Sequence, residues 1–169
     1  KDNYEYAFPI LKKYNIPATI FLTTGPLDDI GELWHDRMFA AFDRTKKTKL
    51  EFQGKVYELN KYNDKVDCMK VFSKYIKALN ETDRNKAIQN LENKLHVDYN
   101  KSDFMNLMLN WEQVKEMSEW GIEIGAHTVT HPILSGLTVQ RQREEVTGSI
   151  KRIYEMVGTR PRVFSYPNG

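Results

Sequence analysis

The chain has 169 residues, 40% hydrophobic and 28% charged, a composition that supports one domain with a real core and argues against disorder. Lys and Arg number 25 against 23 Asp and Glu, so no strong field exists to recruit nucleic acid or a membrane surface. No apolar run reaches the ~18 residues of a membrane span, no signal peptide is recognisable, and the single cysteine, Cys68, excludes an intrachain disulfide framework.

In chain order, residues 2–14 carry Tyr6, Ile10, Leu11 and Tyr14 at roughly helical spacing, with Pro9 as a local fault and Asn15 as the end. Ile16 to Gly25 then reads as a buried strand, bounded by Pro17 and Gly25 and rich in β-branched and aromatic residues. A helix running into a fully apolar strand predicts an α/β architecture with parallel strands. Beyond Pro26 the composition changes. Leu33, Met38, Phe39 and Phe42 mark the buried stripe of a short helix within 32–42. Residues 49–59 alternate on both sides of Gln53-Gly54, a hairpin signal. Two helices follow near 63–79 and 82–96, the second capped by Thr82 or Asp83. This charged block, about 30–108, reads as an inserted helical and hairpin subregion that shapes access to a site. Within it, Trp34-His35-Asp36-Arg37 is either a polar addition to that site or an aromatic anchor with a surface ion pair. His96, at a helix end, has a structural role by default, and the basic run 44–49 reads as a solvated turn.

Asn110 and Gln113 form a capping-box pattern for a helix whose Trp111, Val114, Met117 and Ser118 share a face, with Gly121 ending it. A strand over 122–126 leads directly to His127-Thr128-Val129-Thr130-His131-Pro132. Pro132 stops any helix and biases His131 toward an extended backbone, so the histidine pair belongs on a loop past a strand end. The pair lacks the Glu of the helical H-E-x-x-H arrangement, which disfavours a zinc protease. Two neutral imidazoles on a short loop can take adjacent positions on a zinc-like ion, given a further protein ligand and an open position. The other reading is a pair of hydrogen-bonding loop histidines. After a turn at Ser135-Gly136, Thr138 caps a helix to about Val157, Gly158 stops it, and Arg162 to Tyr166 forms a third strand ending at Pro167-Asn168-Gly169.

Three co-linear stretches, YAFPILKKYNIPATIFLTTG, WEQVKEMSEWGIEIGAHTVTHPILSGL and RPRVFSYPNG, resemble the polysaccharide deacetylases, carbohydrate esterase family 4 or the NodB homology domain. The resemblance covers roughly residues 3–34 and 105–169. It implies a single, incomplete deacetylase domain over residues 1–169: part of a distorted (β/α) barrel with a mainly helical insertion. It also implies hydrolysis of N- or O-linked acetyl groups on a carbohydrate polymer, acting on carbon–nitrogen bonds other than peptide bonds in the amide case. The implied cofactor is a divalent metal, zinc foremost, with cobalt or nickel as alternatives, bound by His127 and His131. An Asp-Asp motif, one Asp a metal ligand and the other the general base, is expected immediately before Lys1, and further motifs beyond Gly169, so the chain reads as a central piece that is inactive alone.

The last motif departs from the family's R-x-P-Y pattern. Ser165 stands where the arginine is expected and Asn168 where the tyrosine is. The resemblance assigns the Asn168 backbone N–H to the oxyanion and Tyr166 to the substrate pocket, or to covering the barrel mouth. The alternative is a non-catalytic carbohydrate-binding or assembly module on a degenerate barrel. The expected partner is an acetylated polysaccharide or oligosaccharide, with no nucleic acid, no membrane span, and self-association through open barrel edges. Family members act on envelope polysaccharides outside the cytoplasm, and the residues themselves leave the compartment open.

Overall fold

The computed structural model describes residues 1–29, 32–100, 104 and 107–168. The chain divides into two compact units, one formed by Lys1–Gly31 with Lys101–Gly169 and the other by Glu32–Asn100. The expected end of the third strand at Gly169 falls outside the described residues. No helix among the described residues is long and apolar enough to cross a membrane.

The first unit begins with a π-helical turn, Asn3–Ala7, that passes into helix α1 (Phe8–Tyr14). Pro9 sits in the first turn of α1, where its missing N–H costs no helical bond, so the fault lies upstream of the proline as a wider turn. Asn15 adopts the left-handed conformation (φ 52°) that ends the helix, and Ile16 N–H donates back to the Leu11 carbonyl at 2.9 Å. That bond occupies Ile16, and Pro17 has no N–H to give. Strand β1 is therefore Thr19–Leu22, shorter than the expected Ile16–Gly25. It is not fully buried either: Leu22 is enclosed, while Phe21 is 40% exposed.

Helix α5 (Trp111–Glu119) opens with the expected capping box, Asn110 accepting from Gln113 N–H and Gln113 from Asn110 N–H. Strand β4 (Glu123–Ala126) pairs with β1 in parallel, in the register Thr19 with Glu123 and Leu22 with Ala126. Thr138 caps helix α6 (Val139–Val157) by accepting from Arg141 N–H, and Gly158 (φ 81°) ends it. The expected third strand over Arg162–Tyr166 is reduced to one parallel bridge between Ala126 and Phe164, closed by Ala126 N–H to Val163 O and Ser165 N–H to Ala126 O, both 3.0 Å. Pro161 cannot donate to a ladder, and the short bridge suffices to fix Ser165 beside the end of β4. Phe8, Leu22, Val114, Met117, Ile122, Ile124, Ala126 and Ile153 form the core, so helices cover one face of the parallel pair. The architecture is α/β.

The second unit packs α2 (Trp34–Arg44), α3 (Tyr62–Lys77) and α4 (Glu81–Leu95) with a hairpin of β2 (Lys49–Phe52) and β3 (Lys55–Glu58). Gln53 and Gly54 both take positive φ, 50° and 70°, as a two-residue hairpin turn requires. Two expectations are corrected. Phe39 is exposed, and the buried stripe of α2 is Trp34, Met38, Ala41 and Phe42. The cap of α4 is Asn80, whose side chain accepts from Asp83 N–H at 2.9 Å; Thr82 and Asp83 already lie in the first turn. Arg84, nearly fully buried, donates to the Ile76 and Leu79 carbonyls and so satisfies the C-terminal end of α3. Arg37 makes a two-point contact with Glu92 at 2.8 and 2.7 Å. Trp34 is the buried anchor of this unit, and the His35–Asp36 pair, 3.8 Å apart, lies beside it.

Candidate metal centre

Strand β4 ends at Ala126, and the next residue stays tied to the sheet: His127 N–H donates to the Leu22 carbonyl at 2.9 Å. The segment then turns sharply. Thr128, fully buried, takes φ 70° and His131 takes φ 58°, both in the left-handed region. A β-branched residue there is strained by about 1–3 kcal/mol and persists only when surrounding bonds over-determine it. Those bonds are present. Thr24 N–H donates to Thr128 O and Gly25 N–H to Val129 O, at 3.2 and 2.8 Å, so the residues just past β1 hold the loop from one side. Thr23 Oγ1 and Thr128 Oγ1 both donate to the His127 carbonyl. Thr128 Oγ1 in turn accepts from His131 N–H at 3.1 Å. This local ring overrides the preference that Pro132 imposes, so the expected extended conformation of His131 is replaced by a left-handed one.

The loop brings the two imidazoles together, with ring centroids 4.7 Å apart and planes at 70°. Both residues are half-buried. His127 Nδ1–H donates to the Ser165 carbonyl at 2.7 Å. A carbonyl only accepts, so the proton sits on Nδ1 and the Nε2 lone pair is left for another partner. A backbone carbonyl on the far nitrogen is the usual way a metal-binding histidine is oriented. The donor set therefore fits a borderline divalent ion as two adjacent ligands. Among the described residues, no group of three or more His, Cys, Asp or Glu side chains lies close enough to complete such a site.

Of the other expected site residues, Tyr166 is 66% exposed and packs edge-on against Phe164 at 5.3 Å, while Asn168 takes φ 65° just past the buried Pro167. Sequence reasoning missed Glu145, Thr128 and the carbonyl of Ser165. Glu145, 1% exposed, lies on α6 and receives the loop: Val129 N–H and Thr130 N–H donate to Oε2 at 2.8 and 2.9 Å, and Thr130 Oγ1 donates to Oε1 at 2.8 Å. The available signal was a carboxylate on the same helical stripe as Ser149 and Ile153, a core position where a charge needs partners. No side-chain pattern could single out the Ser165 carbonyl.

The polysaccharide deacetylase family model matches residues 60–169, which takes in both histidines, Glu145 and Ser165 and leaves residues 1–59 outside. Two proteins of Bacillus subtilis (strain 168) are similar to the chain. "Putative polysaccharide deacetylase YxkH" is 43% identical over 61 residues, 36% of this chain and 22% of that protein. "Uncharacterized protein YlxY" is 33% identical over 60 residues, 36% of this chain and 19% of that protein. The matched stretch thus spans about a fifth of either relative's length. No solved structure matches. With a family match over residues 60–169 of 169, the chain belongs to the polysaccharide deacetylase family.

Proposed function

We propose that the protein to which this chain contributes removes acetyl groups from a carbohydrate polymer, with His127 and His131 as two ligands of a divalent ion, zinc foremost. The observation that carries this reading is the paired imidazole geometry: centroids 4.7 Å apart, with His127 oriented through Nδ1 by the Ser165 carbonyl. When bound, such an ion supplies a Lewis acid for the acetyl carbonyl and acidifies water. The net reaction adds water across the acyl bond: the C–N or C–O bond breaks, the sugar nitrogen or oxygen takes a proton, and acetate leaves.

The chain's own residues hold and orient. β4 and the bonds to Thr24 and Gly25 fix where the imidazoles stand. Tyr166, exposed past the bridge at Phe164, offers an aromatic face of the kind that packs against a sugar ring. The Asn168 backbone N–H is the proposed donor to the oxyanion. In this reading the parallel pair and its bridge are part of a distorted (β/α) barrel, and the carboxylates that complete the site come from outside this chain.

Zinc titration by calorimetry tests the proposal, using this chain, a version extended upstream, and His127→Ala in each. Tight binding in the extended form that vanishes in the variant, together with acetate release from an acetylated chitooligosaccharide or peptidoglycan, supports it. No binding and no acetate release in the extended form refutes it, and favours a carbohydrate-binding module instead.

A further inference from the structure

We infer that Glu145 is a positioning residue: its buried carboxylate sets the spacing of His127 and His131 by holding Val129 and Thr130, two of the three residues between them. The inference rests on the metal-site reading above. A carboxylate buried to this degree is costly unless it is fully hydrogen-bonded, and here every donor but one comes from the histidine loop. Oε2 accepts from Val129 N–H and Thr130 N–H, and Oε1 from Thr130 Oγ1. The remaining donor is Arg141 Nη2 at 3.1 Å, one turn back on α6, whose guanidinium balances the buried charge.

A second feature of the same helix face points the same way. Gly148 lies three residues beyond Glu145, inside α6, where glycine is a poor helix former. A Cβ there would stand 3.0 Å from Val129 Cγ2. The helix thus offers a notch: an anion at one turn fixes the loop's amides, and a missing side chain at the next admits Val129. With the ends of the loop held by β1 and Thr128, this central anchor leaves the two imidazoles little freedom to separate. Partners that orient metal ligands in this way change metal affinity by about 10–100-fold when removed.

The test uses the upstream-extended form with Glu145→Leu, which keeps the volume but removes both acceptors, and Glu145→Gln, which keeps one. Gly148→Ala approaches the loop from the other side. Zinc affinity is read by competition with a chromophoric chelator, amide exchange at Val129 and Thr130 by NMR, and thermal melting alongside. We expect zinc affinity to fall by about 10–100-fold in Glu145→Leu, by less in Glu145→Gln and Gly148→Ala, with amide protection lost at Val129 and Thr130 but kept at Ile124 and Ala126. Should Glu145→Leu fail to fold, the other two decide. Wild-type zinc affinity and unchanged loop protection in the folded variants overturn the inference. Should the upstream-extended form without substitution bind no zinc, the metal reading alone fails, and the exchange data still settle whether Glu145 holds the loop.

Discussion

The backbone of Ser165, not its side chain, meets His127: the Ser165 carbonyl accepts from His127 Nδ1–H at 2.7 Å, while Ser165 N–H donates to Ala126 O at 3.0 Å. The fold thus uses Ser165 through backbone atoms that any residue but proline supplies. Ser165→Ala is therefore expected to stay within about 0.5 kcal/mol of the parent in stability, with the His127 tautomer unchanged. Ser165→Pro removes the N–H that ties the bridge to β4 and should release the imidazole. Long-range 15N–1H spectra of the histidine rings check both, since the Nδ1–H tautomer of His127 should survive the first substitution and not the second.

The strained turn at Thr128 gives a second prediction. Its hydroxyl donates to the His127 carbonyl and accepts from His131 N–H, and the residue is fully buried. Thr128→Val keeps the shape and removes both bonds, leaving a backbone donor without its acceptor. The expected loss is about 1–3 kcal/mol, measured by urea unfolding. An unchanged midpoint would mean that the loop holds its left-handed conformation without the hydroxyl.

Asp28 braces the first unit. Arg152 grips it at two points, both 2.7 Å, and Trp111 Nε1–H donates to it at 2.8 Å. Burial acts to raise its pKa, but the hydrogen bonds from Arg152 and Trp111, with the Arg152 charge, outweigh that and hold the carboxyl below its ordinary 3.8. A carboxylate depressed in the folded state contributes stability that is fully present above that ordinary value and is lost as pH falls through the lower folded value. Asp28→Asn should cost roughly 1–2 kcal/mol near neutral pH, a figure kept small because Arg152 remains about a third exposed. The cost should shrink as pH falls below the ordinary 3.8 and through the lower folded value. Unfolding midpoints near neutral pH and in acid test the sign.

How far the sequence could be read depended on whether a feature was carried by side chains. The capping box at Asn110 and Gln113, the Thr138 cap, the Gly158 stop and the Gln53-Gly54 turn are local side-chain chemistry, and all stand as the residues indicated. The juxtaposition of His127 and His131 followed from the strand end before them. Features set by the backbone of distant segments were not legible. The start of β1 is fixed by a bond from Ile16 back to Leu11, and the third strand shrinks to a bridge at Phe164. His131 escapes the preference set by Pro132 because Thr128 Oγ1 captures its N–H. Glu145 gained its role only from the loop that the fold places against it.

Cys68 offers a probe of the second unit. It is 1% exposed, and burial pushes its thiol from the ordinary 9.0 up to about 11. The native chain should therefore resist Ellman's reagent near pH 8 and react only as the unit opens. A raised folded pKa means the thiol's contribution is complete below the ordinary value and is lost as pH rises toward about 11. Labelling as fast as that of a free thiol would show that the core around Phe72 and Ile76 opens readily.

Gly125 links packing to the site most directly. A Cβ on it would lie 2.6 and 2.7 Å from Phe21 Cδ1 and Cε1 and 3.0 Å from Val163 Cγ2, so Phe21 covers the place where a side chain would be. Phe21 is 40% exposed and Val163 37%, so both can yield, but only by giving up their packing across the parallel pair. Gly125→Ala is expected to cost about 1–3 kcal/mol. Phe21→Ala should relieve the clash, so the double variant should recover part of the loss, with a coupling of roughly 0.5–2 kcal/mol. The same displacement would move the strand two residues before His127 and weaken zinc binding. Strict additivity of the two substitutions would mean that the ring swings into solvent at no cost, and that the close approach of Phe21 to Gly125 does not help fix the end of β4.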